Sequence, residues 1–182
     1  MTFNSDYVMS KIIDPVNRAK KAQVGVDITV AKIEEIRPTT SELGHPSRIF
    51  LDKNSKLMNV DYREVSTIDS YWMAADGEEK NNVYVLEPNK AYAVTFEQGL
   101  EKLADNEWAE IIQRSSLNRA GVRVQGSVFD PGFGTDNLGA TIYTSNNGIN
   151  IPKGARIAQI LIHECYDTTN PYNGRWQGKA NA

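Results

Sequence analysis

A chain of 182 residues holds one domain with a sizeable core and leaves a second domain cramped. Its 40% hydrophobic and 24% charged residues match an ordinary globular protein, which excludes a disordered chain and a membrane-embedded one. A formal net charge of -3 gives no reason to expect a nucleic-acid partner, so any anion it binds must be met by local chemistry.

No stretch reaches the roughly 18 apolar residues of a membrane span, and the first twenty residues lack the apolar centre of a signal peptide. The expectation is a cytoplasmic protein without membrane contact. The single cysteine, Cys165, excludes an internal disulfide and reads as a structural thiol at a strand end. With only His45 and His163 beside it, no zinc set of the usual nitrogen and sulfur donors can be completed.

In chain order, residues 7–22 carry an apolar stripe at Val8, Ile12 and Ile13 that Pro15 interrupts, which predicts a short helical turn and a loop. Next, Val24, Val26, Ile28 and Val30 share one parity, with Asp27 on the other; this predicts a strand with one buried face and Asp27 projecting away from it. Residues 37–82 are polar and punctuated by Pro38, Gly44, Pro46 and Gly77, which predicts an irregular, insertion-like excursion with short strands. From residue 83 two strands are expected around the run EPNK, with Pro88 at the second turn position.

A short strand over 104–113 precedes RSSLNRAG, which has the serine start and glycine stop of a one- or two-turn helix. Residues 123–130 and 140–151 read as extended, and Asn147-Gly148 suits a tight hairpin turn. The run ARIAQILIHEC is apolar on both parities, as in a strand buried on both sides. The expected division is one domain over 1–170 and a flexible arm over 171–182. Many short strands with little helix predict an all-β barrel or sandwich.

The chemistry begins with absences. There is no Walker loop, Rossmann fingerprint, HExxH or zinc-deaminase signature. What remains are short polar clusters at strand ends. Arg114, Ser115 and Ser116 open the predicted helix, where free N–H groups and a guanidinium suit phosphate. Alone, that run is more often a capped helix with a solvated arginine. Asp130 and Phe133 flank Pro131-Gly132, a type II turn signal that alone is more often just a turn. In the tail, Tyr172, Arg175 and Trp176 interleave with glycines, a composition suited to closing over a planar, charged ligand.

Taken in order, VGVDITV, QRSSLNRAG, FDPGF, PKGARIAQILI and YNGRWQG resemble the dUTPase and dCTP deaminase superfamily, most of all its archaeal-type dUTPase branch. The resemblance covers residues 23–36 and about 83–178, and leaves 37–82 without recognisable motifs. It implies a distorted jelly-roll-like β-barrel, assembled as a homotrimer with sites shared between subunits. It further implies Asp27 ordering the magnesium and water environment, and Asp130 orienting and deprotonating the attacking water. Arg114, Ser115, Ser116 and Arg119 would bind phosphate. Phe133 stands where dUTPases carry a tyrosine under the deoxyribose, and Gln159, preceded by Gly154, matches the fourth motif. The arm of Tyr172, Arg175, Trp176 and Gln177 would close over base and phosphates.

The implied reaction is hydrolysis of dUTP to dUMP and pyrophosphate, with Mg2+ arriving on the triphosphate because clustered carboxylates are too few for a protein cage. The sister activity, deamination of dCTP, needs a proton-shuttling glutamate on the strand after the turn. Here that run is ATIYTSN, with Tyr143 or Thr144 in its place. Other features point both ways, since deaminases also carry DPG, and Arg119 fits their RSSLxR pattern. A non-catalytic nucleotide-binding member of the fold is the third alternative.

Overall fold

The computed structural model of the protein describes residues 1–40, 48–74, 77–166 and 172–173. Its first elements are α1 (Ser5–Ser10), β1 (Ile12–Ile13), β2 (Lys20–Lys21), β3 (Val26–Pro38), β4 (Phe50–Leu51), β5 (Leu57–Met58), β6 (Val60–Glu64), β7 (Thr67–Ala74) and β8 (Gly77–Leu86). There follow β9 (Ala91–Phe96), β10 (Gly99–Leu100), β11 (Glu107–Gln113), α2 (Ser115–Arg119), β12 (Arg123–Gln125), β13 (Val128–Phe129), β14 (Gly139–Tyr143), β15 (Ile149–Pro152) and β16 (Arg156–Glu164). The architecture is all-β, with two short helices among the described residues.

The main sheet runs β12-β14-β9-β3-β16-β11-β13, with β2 and β6 also bonded to β3. Strand β3 organises it. Its first residues pair with β16 and β2, and its later ones pair with β9 and β6. Register shifts near Val30 let it bend between the two sets of partners, so the sheet curls around its contents as a half-barrel. Inside lie Val26, Ile28, Val30, Ile33, Val94, Phe96, Ile142, Ile160 and Ile162, all with no exposed surface. Each such side chain contributes about 1.5–3 kcal/mol of burial.

The strand reading of 24–36 needs one correction: β3 starts at Val26, and Val24 is half exposed. Gly25 stands between them with φ +76, a left-handed bend that ends the apolar alternation and lets β2 fold back onto β3. The expected inward and outward faces also differ. Asp27 and Thr29 are buried as well as their apolar neighbours, because Gln98 and Glu97 cover Thr29 and Gln159 and Arg114 cover Asp27. Strand β16, expected to be buried on both parities, instead alternates between buried Ala158, Ile160 and Ile162 and half-buried Gln159, Leu161 and His163.

The turns at 87–90 and 145–148 form, but they do not make hairpins. Strand β8 pairs with β7 and β15, while β9 pairs with β14 and β3. A two-strand ribbon therefore passes from one sheet to the other at a shared corner. Thr144 staples it: its hydroxyl donates to the Glu87 carbonyl at 2.7 Å and accepts from the Lys90 N–H at 3.0 Å. Only Gly148, not Asn147, has positive φ, and a Cβ there would sit 2.4 Å from the Leu86 carbonyl oxygen.

Residues 37–82 hold more order than their composition suggested. Strand β6 joins the main sheet, and β7 pairs antiparallel with β8 over its full length; among the described residues of this stretch β4 and β5 stand apart as a two-stranded pair. At the N-terminus, α1 is capped by Asn4, whose side chain accepts from the Tyr7 N–H at 2.9 Å. It is locked to the barrel through Tyr7, whose hydroxyl donates to the buried Glu107. Among the described residues no helix is long and apolar enough to cross a membrane.

Candidate functional site

Two clusters carry the sequence-selected residues. The first forms where β3, β16 and the end of β11 meet. Gln159 lies directly opposite Asp27 in the β16–β3 ladder, and its amide donates to Asp27 Oδ1 at 2.8 Å. Arg114 follows β11, and its backbone N–H donates to the Ile157 carbonyl at 3.1 Å, which keeps it in step with β16. Its Nη1 then reaches Asp27 Oδ2 at 3.2 Å. Asp27 is nearly buried while Arg114 is about a third exposed, so the carboxylate anchors a guanidinium that is partly open to solvent and has further N–H donors to offer.

Arg114 is also the N-cap of α2, and no side chain hydrogen-bonds the cap. This corrects the expected serine cap: Ser115 and Ser116 occupy the first turn of the helix, both exposed. Arg119 lies in the last turn, exposed as well. Leu117 is the buried residue that fixes this turn against the barrel. Gly121, with φ +70, ends it as expected.

The second cluster is a cavity of about 340 Å³ lined by Asp130, Phe133, Thr135, Asn137, Gly139 and Tyr172 among others. The DPGF turn forms as its sequence requires, with Gly132 at φ +82 and the Phe133 N–H donating to the Asp130 carbonyl at 3.1 Å. Asp130 is exposed at the rim, whereas Phe133 is buried in the wall. Phe133 stacks on Phe129 with ring centroids 5.0 Å apart and meets the Tyr172 ring edge-on at 5.4 Å. Tyr172 is tied down by its own N–H, which donates to the Pro131 carbonyl. Arg175, Trp176 and Gln177 lie outside the described residues.

One chain does not bring these clusters together. Strand β13 pairs with β11 so that Phe129 faces Ala109, which puts Asp130 level with Trp108. Arg114 lies six residues further along the same line, about 20 Å away at the rise of an antiparallel strand. The guanidinium end and the Asp130 end are thus at opposite ends of β11.

Sequence reasoning missed Thr135 and Asn137. The Asn137 amide donates to the Phe96 carbonyl at 3.0 Å, and the Thr135 hydroxyl donates to the Asn137 carbonyl at 2.9 Å. Together they shape the cavity wall. The signal was the run GTDN between the turn and β14, whose polar residues follow Phe133 directly. On β14, the run from Gly139 to Tyr143 carries no carboxylate, and Thr144 is occupied in the corner. Among the described residues no group of three His, Cys, Asp or Glu side chains is placed to hold a metal ion.

A family model described as dCTP deaminase-like matches residues 6–165. A dCTP deaminase from Pyrococcus horikoshii is 33% identical over 96 residues, 52% of this chain and 61% of that protein. A deoxyuridine 5'-triphosphate nucleotidohydrolase from Methanocaldococcus jannaschii is 37% identical over 78 residues, 43% of this chain and 49% of that protein. The matched stretch thus spans about half to three-fifths of these relatives. Among solved structures, a 2'-deoxycytidine 5'-triphosphate deaminase from Agrobacterium tumefaciens superposes with a TM-score of 0.58 at 14% identity, covering 88% of this chain and 46% of that one, a likeness of fold. The curled antiparallel sheet, the motif order and the extent of the family match lead to one conclusion: the chain belongs to the dCTP deaminase-like family, within the superfamily that dCTP deaminases share with dUTPases.

Proposed function

We propose that the protein hydrolyses dUTP to dUMP and pyrophosphate, acting as a homotrimer with magnesium carried in on the triphosphate. The observation that carries this reading is the pairing of Asp130 at the cavity rim with a β14 strand that has no carboxylate. Deamination needs a group that moves a proton to and from the base, and a glutamate on that strand is its source in deaminases. Phosphoanhydride hydrolysis needs positioning and charge neutralisation, which this chain's residues can supply.

In this reading the base and deoxyribose occupy the cavity against Phe133. Asp130 accepts a proton from a water whose oxygen attacks the α-phosphorus, and the bond to the bridging oxygen breaks to release pyrophosphate. Arg114, Ser115, Ser116 and Gln159 hold the phosphates. The separation of about 20 Å between the clusters supports their meeting across a subunit boundary. Asp27 has both oxygens engaged, so its donor set suits a water-mediated contact to substrate-borne magnesium rather than direct ligation. The arm beginning at Tyr172 would then close the site.

The second reading, dCTP deamination, is favoured by the description of the matching family and by Arg119 following RSSLN. Incubation with dUTP or dCTP and magnesium, with chromatographic separation of products, decides between them. Formation of dUMP from dUTP supports hydrolysis; dUTP or dUMP appearing from dCTP supports deamination. Binding of either nucleotide without turnover supports a non-catalytic member.

A further inference from the structure

We propose that Lys20 is a further phosphate-binding residue, supplied to the Asp27–Arg114 cluster by the N-terminal strap. The inference rests on reading that cluster as the phosphate end of the site. It comes from the register of β2 on β3. Lys20 pairs with Asp27 and Lys21 with Val26, and directly opposed residues on neighbouring strands share a face. Lys21 is opposite Val26 and, though exposed, turns to α1, where it reaches Asp6 at 2.6 Å. Lys20 lies on the other side, with Asp27.

The row therefore reads Lys20, Asp27, Gln159 across three strands. Asp27 cannot serve both cations fully. One oxygen accepts from Gln159 and the other from Arg114, and Lys20 is exposed with no ion pair among the described residues. One nearly buried carboxylate thus stands beside two cationic side chains, a local excess of positive charge within a chain of net charge -3. A phosphate chain held by Arg114 would lie within reach of the Lys20 ammonium and complete the balance.

The strap is held as a preformed element. The Asp14 carboxylate accepts from the Ala19 N–H at 2.7 Å and from the Gln98 amide at 2.9 Å. Arg18 pairs with Glu97 at 2.6 Å. The Ala22 N–H donates to the Gly25 carbonyl at 3.1 Å, and Gly25 packs so tightly that a Cβ would lie 2.4 Å from the Ile160 carbonyl oxygen. The backbone that carries Lys20 is thus placed before any ligand arrives, which limits the ordering cost of binding.

The test is calorimetric titration of the intact protein with inorganic tripolyphosphate, for wild type, Lys20→Ala, Lys20→Arg, Lys21→Ala and Arg114→Ala, each checked for folding by thermal melting. The expected result is binding about tenfold weaker for Lys20→Ala, the loss of one charge-assisted contact. Lys20→Arg should largely restore affinity, Lys21→Ala should match wild type, and Arg114→Ala should lose more than Lys20→Ala. Equal affinity for wild type and Lys20→Ala, with Arg114→Ala weakened, overturns the role of Lys20 while the phosphate site stands. Absence of tripolyphosphate binding by wild type, or equal affinity for Arg114→Ala, overturns both.

Discussion

Arg114 and Asp27 form an ion pair at 3.2 Å in which the carboxylate is nearly buried and the guanidinium partly open. The buried partner orients the exposed one. Because Gln159 holds the second carboxylate oxygen at 2.8 Å, the carboxylate cannot rotate freely, and neither can the arginine it grips. Asp27→Asn keeps a hydrogen-bonding side chain but removes the charge that holds Arg114. The expected outcome is a KM for the nucleotide raised about tenfold with kcat changed much less, as for an interaction made equally in the bound ground state and the transition state. Steady-state kinetics checks it, and an unchanged KM removes Asp27 from this role.

Asp130 is different in kind, since it stands at the rim of the cavity on a turn whose geometry does not depend on its carboxylate. Asp130→Asn should lower turnover by about a hundredfold or more, the scale of a lost general base, while nucleotide affinity stays near wild type. A variant with full activity would remove the general-base assignment.

Glu107 supplies a stability prediction away from the site. Its carboxylate is buried and accepts from the Tyr7 hydroxyl and, at 2.8 Å, from the Ala104 N–H, with Lys11 at 3.4 Å. Burial works to raise its pKa, but the Tyr7 hydrogen bond, the Ala104 N–H and the Lys11 charge outweigh burial and hold it below the ordinary value. A depressed folded pKa stabilises the protein above the unfolded glutamate pKa, and that contribution is lost as pH falls through the folded value. Thermal melts of wild type should therefore decline as pH falls through and below about 4.3, the value at which unfolded glutamates are half protonated. Glu107→Gln should melt lower at neutral pH, by about 1–3 kcal/mol of stability, and show a shallower acid decline. Parallel acid profiles for the two proteins would refute the assignment.

Gly25 is required by both conformation and space. Its φ of +76 is disfavoured for a side-chain-bearing residue, and a Cβ would approach the Ile160 carbonyl oxygen at 2.4 Å. Gly25→Ala should lower the melting temperature, with a loss of about 1–3 kcal/mol, and should weaken nucleotide binding through displacement of β2. Wild-type stability in this variant would mean that the strap relaxes without strain.

Much of the local geometry was legible. The DPGF turn, the positive φ of Gly121 after α2 and the extended runs around 91–96 and 156–164 all follow from short-range sterics, which act between residues adjacent in the chain. The failures share a cause. The run EPNK and the dipeptide Asn147-Gly148 were correctly read as turns, but their flanking strands pair elsewhere, because a jelly-roll corner and a hairpin use the same turn residues. The cap of α2 departs from the serine expectation for a related reason: Arg114 is placed by its bond to Ile157 on β16, not by its own propensity. Residues 37–82 resisted reading because β6 is half-buried or exposed throughout, so its pattern carries little periodic signal.

By itself the sequence determined the residue types of the site and the turns that present them, since the chemistry of Asp27, Arg114, Asp130 and Phe133 and the bend at Gly132 are local properties. Only the tertiary structure decided which of them meet. Asp27 and Gln159 are joined by strand register across 132 residues, Lys20 is set opposite Asp27 by the β2–β3 ladder, and Asp130 is held about 20 Å from Arg114 by the length of β11. Register depends on the packing of the whole curled sheet, where a shift of one residue would carry Asp27 to the opposite face.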